Sequence, residues 1–295
     1  MLADELLRGA IDLHVHGYPE ISLDVRTRVE DFEIASLAQE SGMGGFVLKS
    51  HVWPTVGKVY YLKKKFPKLH IISSITLNIT AGGLNPISVE SAAKQGAKII
   101  FMPTWSAAND LRRGGFSTYM KKYLKRTNNL DPSNGLTLMA ENGKLRSEVK
   151  EIISIAKEYS LAIATGHISP EESFLIADEA NSLGGIPVIF SHPDSKSVGG
   201  TSDDIKIMIK KGAYVEICAL GMMPAFQRVV PGEVCQLINE LGVDNFILTT
   251  DFFFDWAPPP PEMLRMVIGT LLINGLNEEQ IRKMVDTNPR NILNI

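Results

Sequence analysis

Eight short, largely apolar runs recur along the chain, separated by longer stretches with helical spacing. They are AIDLHVH (about 10–16), GGFVLKS (44–50), HIISSITL (70–77), AKIIFMPT (97–104), LAIATG (161–166), PVIFS (187–191), AYVEICA (213–219) and NFILTT (245–250). Most are apolar on both phases rather than alternating, the pattern of strands buried on both faces of a parallel sheet. Between them, Thr27 and Glu30 predict a capping box ahead of a helix at about 30–42 that stops at Gly42. Ser169, Pro170 and Glu172 predict a second box, with proline in the first helical turn. Val149, Ile152, Ile153 and Ala156 share one face of a helix at about 146–159. Eight strand–helix units predict an α/β fold, a (β/α)8 TIM barrel, with an open doubly wound sheet as the alternative.

One connection is too long for a simple loop. About 40 residues separate Trp105 from the next helix, and they carry Arg112, Arg113, a basic stretch from Lys121 to Arg126, and Asn-Gly pairs at 134–135 and 142–143. The expectation is an insertion after strand 4, at about 106–145, built of a small helix and a hairpin. Over a barrel mouth it would serve as a lid, and it could equally support a homo-oligomer. Length leaves room for two domains, but barrels of this size are single units, so residues 1–295 are expected to form one.

Composition narrows the partners. The formal charge of −3 gives no electrostatic reason for nucleic acid or membrane binding. Two cysteines make no disulfide framework, the start lacks a basic and apolar leader, and no apolar window is long enough to span a bilayer. A soluble, cytoplasmic protein acting on a small molecule is expected.

The histidines carry the chemistry. Of six, five (His14, His16, His51, His167 and His192) fall at or just past the C-terminal end of a predicted strand, where barrels build their sites. His14 and His16 alternate, so both imidazoles face one side, with Asp12 in the same phase one step deeper. His167 and His192 follow the fifth and sixth runs, and Asp251 follows the eighth. Asp251 can ligate a metal or accept a proton from hydrolytic water, or it can simply be a turn residue. Lys49 and His51 lie two residues apart near the end of the second run. A lysine there needs a role or a partner, since an unpaired buried ammonium is costly; Glu216, on the seventh run, is one such partner.

The set Asp12-Leu13-His14-Val15-His16, His167, His192 and Asp251, with the tail Thr287-Asn288-Pro289, resembles the amidohydrolase superfamily over essentially the whole chain. Within it the segments LKSH, GGLNP, MPTW, TGHIS and SHPD are similar to a group of amidohydrolase-like proteins of unknown function. The resemblance implies one or two divalent metals on His14, His16, His167, His192 and Asp251. Zinc is the first choice, and manganese, iron or nickel also suit such ligands. It also implies Asp251 as general base in hydrolysis of a C–N or C–O bond. The fourth strand lacks the bridging lysine or glutamate that two-metal members often place there, which assigns Lys49, with His51, to bridging or substrate holding. Arg26, Trp105 and Glu216 are the expected substrate-binding residues. A metal-dependent phosphoesterase and a non-catalytic metal-binding barrel are the alternatives.

Overall fold

The computed structural model describes residues 1–295. Its eight strands are β1 (Ile11–His16), β2 (Gly45–Lys49), β3 (His70–Thr76), β4 (Ala97–Phe101), β5 (Ala162–Ala164), β6 (Val188–Phe190), β7 (Tyr214–Cys218) and β8 (Phe246–Thr249). They join in sequence order into one sheet. The paired strands run parallel, and Val15 meets Phe252 in a parallel bridge just past β8. Eight strands alternating with helices thus make a nearly closed (β/α)8 barrel, as the apolar runs predict. No helix is long and apolar enough to cross a membrane.

By internal packing the residues fall into two compact units, residues 1–49, 57–72 and 216–295, and residues 50–56 and 73–215. In the first, β1 and β2 are buried along their whole length. Asp12 is buried within β1 because it has partners. Its carboxylate accepts the backbone N–H of His14 and of Thr250 (both 3.1 Å) and the Thr250 hydroxyl (2.5 Å). Asp12 therefore ties the first strand to the residue that follows the last. The helix after β1 is Asp31–Glu40, but its capping box is Glu30 with Glu33, not Thr27 with Glu30. The Thr27 hydroxyl is spent on the carbonyl of Val29 (2.7 Å), and the cap falls three residues later than expected while the helix itself starts at Asp31.

In the second unit, the helix Ser147–Glu158 buries Val149, Ile152, Ile153 and Ala156, the stripe read from the sequence. The helix Pro170–Ser182 has the expected Ser169–Glu172 box. Glu172 does more than cap, since its other oxygen accepts Thr137 Oγ1 and the Leu138 N–H (both 2.7 Å) and so pins the end of the insertion. The insertion itself departs from expectation. It has two helices, Ala108–Arg113 and Phe116–Tyr123, and a 3-10 turn at Lys125–Asn129. Gly114, at φ +62°, ends the first helix in a left-handed conformation that a side chain rarely adopts. The hairpin is reduced to one antiparallel bridge, Met139 to Leu145.

Candidate functional site

In the first unit, the alternation of β1 puts His14 and His16 side by side, with ring centroids 5.2 Å apart and no solvent exposure. Each ring is clamped at Nδ1 by a carboxylate. Glu216 on β7 takes His14 Nδ1 at 2.9 Å and is itself held by the Thr249 hydroxyl at 3.0 Å. Glu20, four residues past His16, takes His16 Nδ1 with both oxygens, at 2.9 and 3.1 Å. A carboxylate in this role only accepts, so each ring keeps its proton on Nδ1 and turns Nε2 to the other side. There both Nε2 atoms meet one oxygen of Asp251, at 3.0 Å from His14 and 3.4 Å from His16. The three donor atoms lie within 4.8 Å of one another.

Asp251 reaches this position by an uncommon backbone turn. Its φ is +52°, a region that costs a non-glycine residue on the order of 1–3 kcal/mol and is concentrated at functional sites. Its N–H donates to the His14 carbonyl at 2.9 Å. Lys49, buried at the end of β2, places Nζ 2.8 Å from His14 Nε2. Burial pushes the Lys49 ammonium down from its ordinary value. Burial and Lys49 lower His14 as well, but Asp251 and Glu216 outweigh them and raise it to about 9. Burial lifts Asp12 to about 6 despite its bonds from Thr250. Asp251 and Glu216 thus set a negative field around His14 that favours a cation at Nε2, a proton or a metal ion in its place.

In the second unit, His51, His167 and His192 form another cluster. Ring centroids are 6.3 Å apart for His51 and His167, and 5.1 Å for His167 and His192. His167 Nδ1 lies 2.6 Å from Asp110, which the insertion supplies, and Asp110 also accepts the N–H groups of Ser117 (2.7 Å) and Phe116 (3.1 Å). Burial works against this carboxylate, yet the bonds from His167 and Ser117 hold it below its ordinary range. Hydroxyls hold the other two rings: Thr104 at 3.0 Å from His51 Nδ1, and Ser195 at 3.1 Å from His192 Nδ1. Gly166 makes the placement of His167 possible, for at φ +62° a Cβ there would lie 2.4 Å from the Met102 carbonyl. His192 itself sits at φ +25°. Phe116 lays its ring 4.4 Å from that of His51.

The expected residues therefore gather in two sets, His14, His16, Lys49, Glu216 and Asp251 in one unit, and His51, His167 and His192 in the other. Trp105 is buried with the second set and donates its indole N–H to the His51 carbonyl at 3.0 Å. Arg26 is exposed, its guanidinium 5.6 Å from the Tyr18 ring centroid. Glu20, Asp110, Thr104 and Ser195 were not foreseen. Glu20 and Ser195 lie within four residues of the histidines they hold, and that local spacing is a readable signal; Asp110 has none.

The fold is shared with solved hydrolases. A probable dipeptidase, PvdM, from Pseudomonas aeruginosa matches with TM-score 0.64 at 13% identity, covering 99% of this chain and 96% of the other. An amidohydrolase from the same organism matches with TM-score 0.60 at 13% identity over 99% and 97%. An organophosphorus hydrolase from Deinococcus radiodurans gives 0.59 at 14% over 99% and 93%. At such identity the likeness is one of fold, and it agrees with the resemblance carried by the histidine pattern. No curated protein matches the chain. The model described as "Family of unknown function (DUF6282)" matches residues 9–216, and the chain belongs to that family.

Proposed function

We propose that this protein is a metal-dependent hydrolase that cleaves an amide, lactone or ester bond of a small molecule. The observation that carries the reading is the convergence of His14 Nε2, His16 Nε2 and Asp251 Oδ1, with each imidazole fixed from behind by a carboxylate. This donor set fits a divalent transition metal, zinc first among them, with manganese, iron or nickel as substitutes. A metal would take His14 Nε2, now 2.8 Å from Lys49 Nζ, in place of the proton that the neighbouring carboxylates favour there, so metal binding requires that proton to leave and Lys49 to move away. A bound divalent ion supplies Lewis acidity, polarising the scissile carbonyl and making water nucleophilic at neutral pH.

The rest falls to the chain's own groups. Asp251 is the most open of the three donors, with 17% of its side chain exposed against none for His14, and it is the group placed to accept the proton of attacking water. That openness argues against a sealed structural metal site. Lys49, freed from His14, bridges or holds the substrate. His167 keeps Nδ1 on Asp110 and offers Nε2, and with His192 it holds a second ion or orients the substrate. Thr104 receives an N–H from Asn78 (2.6 Å) and has a hydroxyl proton to give His51 Nδ1. His51 Nε2–H then serves as a hydrogen-bond donor to substrate.

Metal analysis of protein purified without chelator tests the reading, joined to a screen of amide, lactone, carboxylate ester and phosphate ester substrates. The expected result is at least about half an equivalent of a transition metal and carbonyl hydrolysis that a chelator abolishes and added metal restores. Less metal with no metal-restored activity refutes the proposal, and turnover confined to phosphate esters replaces it with a phosphoesterase.

A further inference from the structure

An aromatic path leads outward from the proposed metal ligands within the first unit. The ring of Phe253 meets His16 edge-on, with centroids 5.4 Å apart at 83°. Phe254 meets Phe253 edge-on in turn, at 5.0 Å and 90°. Trp256 then stacks on Phe254 at 5.2 Å and 12°, close to parallel. Phe226, from the segment after β7, packs on both, at 5.6 and 5.9 Å, with the Arg228 guanidinium 4.7 Å from its own ring centroid.

Exposure rises along this path. Phe253, beside His16, is buried, Phe254 and Phe226 are half-buried, and Trp256, the largest ring, is 44% exposed. The ring with the most apolar surface is thus the one left open to water at the end of the path. A contiguous, partly wetted aromatic cluster beside a reactive centre is the mark of a ligand seat. Its geometry also speaks to the ligand. Branched aliphatic side chains would serve an alkyl group as well, whereas two near-parallel rings present a flat face that a planar guest extends by one layer.

We infer that the Phe226–Phe254–Trp256 cluster seats a flat, uncharged ring of the substrate, so that the bond cleaved belongs to an aromatic or heteroaromatic amide, lactone or ester. The inference deepens the proposed hydrolase and rests on it for the reaction, but the seat itself can be read without turnover. Benzohydroxamate and acetohydroxamate share one metal-chelating head and differ in the ring. In calorimetric titrations of the zinc-loaded protein, the ring is expected to raise affinity about fivefold or more. Phe254→Ala and Trp256→Ala should remove that advantage and leave acetohydroxamate affinity and metal content unchanged, while Trp256→Phe keeps most of it. Equal affinities in the unaltered protein, or an advantage that survives both alanine variants, overturn the seat. Failure of both hydroxamates to bind counts against the metal reading instead. The seat is then decided by the Trp256 indole N–H resonance under titration with benzamide, assigned by its loss in Trp256→Phe. A saturating shift upholds the seat, and a resonance that does not move overturns it.

Discussion

The two units hold their histidines by different means. In the first, both rings lean on carboxylates, and a third carboxylate, Asp251, faces them from the opposite side. In the second, one ring leans on a carboxylate and two on hydroxyls. A carboxylate fixes the tautomer, since it cannot donate, and it adds negative charge that a cation can neutralise. A hydroxyl accepts or donates and adds no charge, so the ring it holds can be ligand or donor. Under the proposed function, the first cluster keeps an ion, and the second takes one weakly or positions a substrate by hydrogen bonds.

That contrast breaks most sharply in metal content. His16→Ala and Asp251→Ala should lower bound metal more than about a hundredfold in affinity, whereas His192→Ala should leave the first equivalent in place. Elemental analysis with circular dichroism to confirm folding makes the comparison, and complete metal loss in folded His192→Ala would reverse the roles assigned to the two clusters. A smaller effect belongs to the residues behind the ligands. Glu216→Gln and Glu20→Gln should weaken metal binding by roughly 10- to 100-fold in chelator competition, because each leaves its imidazole less basic and less firmly oriented. Ser195→Ala should shift it by less than either. The mildest test concerns the one carboxylate of the second cluster. Asp110→Asn should cost about 1–2 kcal/mol in urea unfolding, through weakened bonds to His167, Ser117 and Phe116, and leave the metal affinity of the first cluster unchanged. A large loss of that affinity would show the two sets to be one energetic system.

How much of this was legible before the structure depends on how local each signal is. The strands announce themselves because burial on both faces demands apolar residues in unbroken runs, and the candidate ligands are visible because histidine is rare and five of six fall at strand ends. The helix at Ser147–Glu158 was readable for the same reason, its four buried positions repeating at helical spacing. What the sequence conceals are pairings over distance. Glu216 is 202 residues from His14, and Asp110 is 57 from His167. Neither offset has a period, and Asp110 lies in an insertion whose two helices no strand pattern constrains. The misplaced capping box is a different failure. Thr27 and Glu30 have the right spacing, but Glu30 with Glu33 has it too, and only the path of the chain between Tyr18 and Asp31 selects the second. The aromatic path was half visible, since Trp256 stands just past the eighth apolar run, but its stacking partners are recognisable only once their rings are in place.

The tie from Asp12 to Thr250 has a temporal meaning. It joins residues 238 apart, so in a chain made from its N-terminus His14 and His16 emerge early and wait for Asp251, which arrives only when β8 has left the ribosome. Contacts between such distant parts form late, after most loop-closure entropy has been lost. Under the proposed function, stable metal capture is thereby reserved for a chain synthesised past Asp251, and a product interrupted before it keeps its histidines but not the carboxylate that would let it sequester the ion.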